Sequence, residues 1–252
     1  MTTATTLPIA ALAAAASVIA APSAFAGTVA PQLTFGVSVL GDAPQSVTST
    51  AGVSNGSGAY TYAGSIASST PGSSWYVNWD LLGNDTSVLP NNPSISTSFV
   101  VGNTGNTTRT FQVQVTFASP VQVTPGVTSI DWWTTLSGVL NSSHGGVASL
   151  VGLDPAMFQG QVNGVGVVLN NPSVQSTTAS SLFGNSVNSY FGPVPNGPNV
   201  STIGYLMTFS LSAHSTAVFN GSWAGVVVPA PGAAALLGAA GLVAGRRRRG
   251  RA

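Results

Sequence analysis

Cysteine, lysine and glutamate are absent from this chain of 252 residues, and charged residues make up only 4% of it. In soluble domains the charged fraction is usually about a quarter. Without cysteine, disulfide bonds and thiolate metal sites are excluded, so an exported form must rely on its apolar core for stability. Without glutamate, the carboxylate side chains are five aspartates: Asp42, Asp80, Asp85, Asp131 and Asp154.

The few positive charges are concentrated at one end of the chain. Five of the six arginines lie at positions 246–251, and Arg109 is the sixth. Residues 27–228 therefore carry one positive and five negative charges, a net of −4. A nucleic-acid-binding surface needs a basic patch that neutralises phosphates. This charge distribution excludes nucleic acid as a partner of the body of the protein.

The N-terminus has the pattern of a secretory signal peptide. An apolar stretch covers residues 7–21, and Ala24 and Ala26 then provide the small side chains that signal peptidase recognises. The sequence therefore predicts a signal peptide over residues 1–26, cleavage by signal peptidase, and a mature chain that begins at Gly27. Because no lysine or arginine precedes the apolar stretch, an uncleaved apolar anchor is the alternative.

The C-terminus has the composition of a membrane-spanning segment. Residues 226–245 carry no charge, and about 20 helical residues span a hydrocarbon core, which predicts a transmembrane helix over about residues 229–245. Five arginines follow it: Arg246, Arg247, Arg248, Arg249 and Arg251. Basic residues at this density halt translocation and remain in the cytoplasm. The body is therefore expected on the periplasmic side of the inner membrane.

The order of features in this tail resembles a known sorting signal. Pro229, Ala230 and Pro231 precede the apolar segment and the terminal arginines, so residues 226–252 are similar to the three-part PEP-CTERM tail of Gram-negative bacteria. The resemblance implies an exosortase-like membrane protease that cuts near the prolines. It also implies release to the cell surface or the extracellular medium, in association with exopolysaccharide. Ala230 stands where the family has glutamate, and a plain single-pass anchor is the alternative.

The body, residues 27–225, is predicted to be an all-β, antiparallel β-sandwich (jelly-roll or Ig-like). Five segments alternate apolar and polar residues with period two, as half-buried antiparallel strands do. The predicted core faces are Leu33, Phe35, Val37 and Val39; Trp75, Val77, Trp79 and Leu81; Ile95, Phe99 and Val101; Phe111, Val113, Val115 and Phe117; and Tyr205, Met207, Phe209 and Leu211. Turn-rich stretches at 120–125 and 170–181 permit a division into two lobes.

Two local predictions follow from turn-forming residues. In segment 98–117, two alternating strands flank the sequence GNTGN at 102–106, whose asparagines and glycines tolerate positive φ, and this pattern predicts a hairpin. Asp154 and Pro155 are suited to the start of a helix, and they predict one or two helical turns through Phe158.

No catalytic residue, metal site or cofactor is predicted. A hydrolase of the serine–histidine–aspartate type needs a histidine base, but His144 and His214 lie in polar loops and the chain has no G-x-S-x-G motif. Asp80, Asn84 and Asp85 offer oxygen ligands for Ca²⁺, yet their spacing does not match an EF-hand. A secreted hydrolase that combines either histidine with an aspartate is the least favoured hypothesis.

Adjacent tryptophans supply the one candidate ligand surface. If the segment around Trp132 and Trp133 is a strand, one of the two side chains points outward, where its ring can stack on a sugar. The leading hypothesis is an exported, non-enzymatic protein of the cell surface or extracellular matrix. The alternative is a carbohydrate-binding module that uses an exposed tryptophan.

Overall fold

The computed structural model describes residues 30–55, 58–70, 72–84, 93–121, 127–153, 156–170, 175–193 and 200–229. Within these ranges the regular structure is β-strand and includes no helix. The strands are β1 (Leu33–Val39), β2 (Gln45–Ser49), β3 (Val53–Ser54), β4 (Ala59–Ala67), β5 (Trp75–Asn84), β6 (Ser94–Asn103), β7 (Arg109–Val121), β8 (Val127–Ser142), β9 (Ala148–Gly152), β10 (Phe158–Val162), β11 (Val165–Asn170), β12 (Gln175–Thr177), β13 (Ser180–Pro193), β14 (Val200–Leu211) and β15 (Ser215–Pro229).

These strands form two antiparallel sheets. The first sheet has the order β11–β10–β14–β7–β1–β2, with β9 beside β14 and β12 beside β9. The second sheet has the order β13–β8–β15–β6–β5–β4–β3. Buried side chains from both sheets form one apolar cluster that extends from Ala30 to Trp223, on both sides of the segments 120–125 and 170–181. The prediction of an all-β antiparallel sandwich is confirmed.

The period-two pattern of the sequence is also the pattern of burial. All five predicted core faces point into the interior. In β7, for example, Val113 and Val115 are 0% exposed, whereas Gln112 and Gln114 lie on the opposite, exposed face. Burial of each large apolar side chain contributes about 1.5–3 kcal/mol to stability, so these faces supply the driving force that a chain without disulfides needs.

Aromatic side chains connect the two layers. Phe35 of the first sheet stacks on Trp79 of the second, with ring centroids 4.7 Å apart. The Tyr205 hydroxyl of β14 donates a 3.0 Å hydrogen bond to Thr97 Oγ1 of β6 across the interior. Burial raises the pKa of Tyr205, so its hydroxyl remains protonated and available as the donor. These contacts join the sheets through both apolar packing and a satisfied polar pair.

The hairpin predicted between β6 and β7 does not form. β6 pairs with β5 and β15 in the second sheet, whereas β7 pairs with β1 and β14 in the first. Residues 104–108 therefore make an arch between the layers. The prediction was wrong because alternation determines which face of a strand is buried but not which strand is its neighbour. The buried side chains of β6 and β7 face each other across the interior, because the two strands belong to opposite sheets.

Asn103 holds this arch in place. The residue is 0% exposed, and its amide forms hydrogen bonds with four backbone groups. Nδ2 donates to the carbonyl oxygens of Thr107 (2.8 Å), Leu211 (2.9 Å) and Ser212 (3.0 Å), and Oδ1 accepts from the Gly105 N–H (3.2 Å). One buried side chain thus joins the arch to the end of β14. A buried amide is tolerated only when it is hydrogen-bonded in this way.

The structure contradicts the predicted helix at Phe158, and it describes neither the predicted signal peptide nor the tail beyond Pro229. Phe158 begins β10, so it does not end a helical turn, and Asp154 and Pro155 lie outside the described residues. The predicted signal peptide and the residues from Ala230 onward also lie outside them. In the part of the chain that the structure describes, no helix has the length and apolar character needed to cross a membrane.

β15, the last described strand, runs into the predicted tail. β15 runs from Ser215 to Pro229, four residues past the predicted end of the body at residue 225. It pairs with β6 on one side and with β8 on the other, so it is an inner strand of the second sheet. The pairing with β8 continues to the end of the strand, where the register shifts after Val228 and Pro229 lies opposite Val127. The first proline of the PEP-CTERM-like motif is therefore the last described residue of β15.

Candidate functional site

The two adjacent tryptophans of β8 lie on opposite faces of the second sheet. Trp132 points inward, is 0% exposed and stacks on Trp223 of β15, with ring centroids 4.8 Å apart. Its ring also covers Gly225, where an added Cβ would come within 2.5 Å of the indole. Trp132 therefore offers no ligand surface. Trp133 is half-buried and points outward, as the alternation requires for one of the pair.

Phe191 of the edge strand β13 adds a second aromatic side chain to this outer face. Its side chain is 66% exposed. In the register of β13 and β8, Phe191 lies opposite Asp131, and Ser189 lies opposite Trp133. Phe191 and Trp133 are thus diagonal neighbours on one face, a relationship in which Cβ atoms are about 7–8 Å apart and large side chains remain within reach. We call these four residues the outer aromatic face.

The groups around the two rings are polar and mostly neutral. Asp131 is exposed opposite Phe191. Two residues after Trp133 along β8, the Thr135 hydroxyl forms a 2.8 Å hydrogen bond with the Ser222 hydroxyl of β15. Aromatic rings bordered by hydroxyls and a carboxylate provide apolar contact together with hydrogen-bonding partners. This chemistry suits the apolar face and the hydroxyl groups of a sugar ring.

Phe191 was not identified from the sequence. In addition to Phe183, β13 carries the adjacent aromatic residues Tyr190 and Phe191, and its register with β8 shifts between Phe183 and Ser186. A register irregularity of this kind interrupts the period-two pattern that locates a buried face. The adjacent aromatic pair was the available signal, because two neighbouring strand residues point to opposite faces, as at Trp132 and Trp133.

A shallow cleft crosses the outer face of the first sheet. It has a volume of about 320 Å³ and lies over β1, β2 and β7, with Gly36 among its lining residues. Its polar lining consists of amide and hydroxyl side chains: Ser38, Gln45, Ser46, Gln112 and Gln114. Neutral donors and acceptors of this kind hydrogen-bond to water or to other hydroxyl-rich molecules.

Asp42 lies at the centre of a polar cluster that the sequence did not predict. The carboxylate is 5% exposed and follows β1, and Oδ2 accepts hydrogen bonds from the Ser73 hydroxyl and the Trp75 indole N–H. The Arg109 guanidinium, at the start of β7, lies 3.8 Å from Oδ1. The single arginine outside the C-terminal cluster is therefore paired with a carboxylate, in a cluster that connects both sheets.

The protonation of Asp42 follows from these contacts. Burial by itself raises the pKa of Asp42, but the hydrogen bonds from Ser73 and Trp75, the charge of Arg109 and the Ser68 hydroxyl together outweigh it. The pKa of Asp42 therefore lies below its ordinary value of 3.8. Because the folded state favours the carboxylate, the stabilisation is complete above that value and is lost as the pH falls through the folded pKa.

Replacing Asp42 by asparagine is expected to lower the free energy of unfolding at pH 7 by about 1–2 kcal/mol, since Arg109 loses its counter-charge. The difference between wild type and Asp42→Asn should begin to narrow below the ordinary pKa of 3.8, where the unfolded wild-type chain takes up a proton before the folded state does, and it should narrow further as the pH falls through the lower folded pKa. Urea denaturation followed by tryptophan fluorescence at several pH values measures this difference. Asp131→Asn, at an exposed position, is the control, and a constant difference across the pH range would contradict the assignment.

The two histidines lie next to each other, although 70 residues separate them in the sequence. The ring centroids of His144 and His214 are 4.5 Å apart. Among the described residues, no group of three or more histidine, aspartate or glutamate side chains surrounds a common point. Asp80 lies on the exposed face of β5, and Asp85 lies outside the described residues. The described residues therefore include no site that contains both Asp80 and Asp85, which are close together in the sequence.

The sequence matches no protein-family model and no curated protein. Among solved structures, it is similar to a Stig cyclase, FisC, from Fischerella sp. TAU, with 10% identity and a TM-score of 0.28, over 71% of this chain and 88% of that one. It is also similar to TmCBM61 in complex with β-1,4-galactotriose, with 11% identity and a TM-score of 0.21, over 58% of this chain and 86% of that one. Similarities at these TM-scores identify neither a family nor an activity.

Proposed function

We propose that this chain is an exported, non-enzymatic protein of the cell surface or extracellular matrix, and that its PEP-CTERM-like tail directs its release. The observation that supports this most directly is the position of β15. This strand lies between β6 and β8 and ends at Pro229, the first residue of the proline motif. The last described strand of the sandwich therefore reaches the first residue of the proline motif.

This arrangement suits processing by a membrane protease. A cut after Pro229 leaves β15 paired with both neighbours, so the released body keeps every described strand of its second sheet. A cut before Val226 would remove residues that pair with β8 and would shorten an inner strand. In the proposed sequence of events, signal peptidase removes residues 1–26, the body folds in the periplasm while the tail is held in the inner membrane, and an exosortase-like protease then releases it.

The exposed faces of the sheets also suit association with exopolysaccharide. Outward positions on the inner strands carry hydroxyl and amide groups where many soluble proteins carry charges: Thr34, Ser38, Ser96, Ser98, Gln112 and Gln114. These groups exchange hydrogen bonds with polysaccharide hydroxyls as readily as with water. A nearly uncharged surface of this composition is compatible with a hydrated polymer matrix.

The double variant Pro229→Ala, Pro231→Ala tests the sorting proposal. Alanine preserves the end of β15, because replacing a proline adds a backbone N–H and removes no ladder acceptor. Membrane insertion should survive, while release should fail and the protein should accumulate in the membrane fraction. Immunoblots of membrane, periplasmic and external fractions measure this distribution.

Pro31→Ala with Pro44→Ala is the matched control, because it removes two prolines from the body and leaves the tail unchanged. Its distribution should equal that of wild type. Release of the Pro229→Ala, Pro231→Ala variant, with the same trimmed C-terminus as wild type, would reject recognition of the motif. The plain anchor or an unrelated protease would then account for the tail.

A second candidate function is favoured by the outer aromatic face. Trp133 and Phe191 lie on one outward-facing surface, and Phe191 is 66% exposed, which suits sugar stacking as described above. If the body binds exopolysaccharide there, Trp133→Ala and Phe191→Ala should each weaken binding about tenfold, equivalent to about 1.4 kcal/mol for one ring contact. Migration in affinity gels that contain the cells' own exopolysaccharide measures the effect.

Leu182→Ala is the matched control for this surface, since Leu182 is also an exposed apolar residue of β13 (80% exposed). Its retardation in the gel should not differ from that of wild type. If Trp133→Ala, Phe191→Ala and Leu182→Ala are all retarded as strongly as wild type, the outer aromatic face is not a sugar-binding surface. Loss of retardation in all three would indicate a general effect of edge-strand hydrophobicity, and it would also contradict the proposal.

A further inference from the structure

His144 and His214 are brought together by two neighbouring strands. His144 lies in the turn after β8, and His214 lies in the turn before β15. Because β8 and β15 pair in register up to Ser142 and Ser215, both turns leave the same end of the second sheet. The two imidazole rings have centroids 4.5 Å apart and an angle of 38° between their planes.

Backbone contacts hold this pair in a defined geometry. His214 has a φ of +52°, in the left-handed region that few residues other than glycine adopt. Its N–H donates to the Gly105 carbonyl at 3.2 Å, and its carbonyl accepts from the Ser143 N–H at 2.9 Å. The Ser143 hydroxyl also donates to that carbonyl at 2.5 Å and lies 3.3 Å from His144 Nδ1. The turn that carries His144 is thus hydrogen-bonded directly to the backbone of His214.

The spacing of the rings matches that of two ligands on one metal ion. Imidazole nitrogens at about 2.0–2.1 Å from a shared ion place their ring centres about 4.5–5.5 Å apart, for ligand angles of about 90–110°. His144 is exposed and His214 is partly exposed, so an ion could reach both rings from solvent. Imidazole ligands favour Cu²⁺, Ni²⁺ and Zn²⁺, whereas Ca²⁺ and Mg²⁺ prefer oxygen.

We propose that His144 and His214 form a two-histidine binding site for a divalent transition-metal ion. Each ring contributes one nitrogen, and water completes the coordination, because no aspartate joins the pair among the described residues. The site is independent of the sorting proposal, since it uses neither the tail nor the outer aromatic face. It also requires no change in the fold, because the two turns are already hydrogen-bonded to each other.

Titration of the full chain with Cu²⁺ tests the site, because Cu²⁺ binds nitrogen ligands more strongly than the neighbouring divalent ions. Wild type is expected to bind one Cu²⁺ per chain, and its electron paramagnetic resonance spectrum should show two nitrogen ligands. His144→Asn and His214→Asn should each weaken binding at least about tenfold and leave at most one histidine nitrogen. Asparagine is used because it tolerates the left-handed backbone of residue 214.

The matched control is the double variant His144→Asn, Asn220→His. It keeps two histidines per chain but moves one to an exposed position on β15, so it should lose binding as His144→Asn does. Thermal melting of each metal-free variant verifies folding. The proposal is overturned if this control binds Cu²⁺ as tightly as wild type, or if wild type binds no better than the variant His144→Asn, His214→Asn.

Discussion

Replacing Asn103 by aspartate is expected to destabilise the protein by about 3–5 kcal/mol. The substitution preserves the size of the side chain but replaces an amide that donates to three carbonyl oxygens. A carboxylate cannot donate, so it would face the oxygens of Thr107, Leu211 and Ser212 without solvent, because residue 103 is 0% exposed. Only protonation of the new carboxylate, or displacement of the arch, would relieve the repulsion between the carboxylate and these oxygens.

The size of this effect is comparable with the whole stability of a domain, which is typically about 5–15 kcal/mol. Thermal and urea denaturation, followed by tryptophan fluorescence, should therefore show a much lower midpoint for Asn103→Asp. Asn220→Asp makes the same chemical change at an exposed position of β15. It should shift stability by no more than about 0.5 kcal/mol. Equal midpoints for the two variants would mean that Asn103 does not support the arch.

Replacing Val113 by aspartate is expected to have an effect at least as large. Val113 is 0% exposed and lies in β7, where it is paired with Val37 on one side and Met207 on the other. The variant loses about 1.5–3 kcal/mol of apolar burial and adds a buried carboxylate, which costs several kcal/mol more. Arg109 is the only arginine among the described residues, and it already pairs with Asp42.

Gln112→Asp is the internal control for this experiment. Residue 112 is next to Val113 in the same strand, but its side chain is exposed on the outer face. The expected loss there is about 0.5 kcal/mol or less. If Val113→Asp leaves the protein insoluble, Val113→Ala gives a second measurement, with an expected loss of about 1–3 kcal/mol. Similar losses at positions 112 and 113 would contradict the assignment of the buried face.

The sequence predicted the buried faces because burial follows local alternation. In β1 and β14, a period of two separates inward and outward side chains without any knowledge of the neighbouring strands. The partner of each strand is not encoded locally, and for this reason β6 and β7 were predicted as a hairpin although they lie in different sheets. The structural role of Asn103 was not predicted for the same reason, since the carbonyl acceptors of Leu211 and Ser212 are more than 100 residues away in the sequence.

The candidate sites show the same limit. The outward position of one tryptophan was predictable from alternation, but the choice of Trp133 depends on the stacking of Trp132 against Trp223 in another strand. Phe191 joins Trp133 only through the pairing of β13 with β8. The two histidines were assigned to separate loops, and the pairing of β8 with β15 brings those loops together. Long-range strand pairing therefore determines every one of these juxtapositions.

The intact mass of the protein recovered from outside the cell is the most direct test of the proposed sorting. A chain that begins at Gly27 and ends within a few residues after Pro229 is expected, because signal peptidase would cut after Ala26 and the membrane protease would cut beyond the last residue of β15. Recovery of a chain that still ends at Ala252, or that begins at Met1, would contradict processing at that end of the protein.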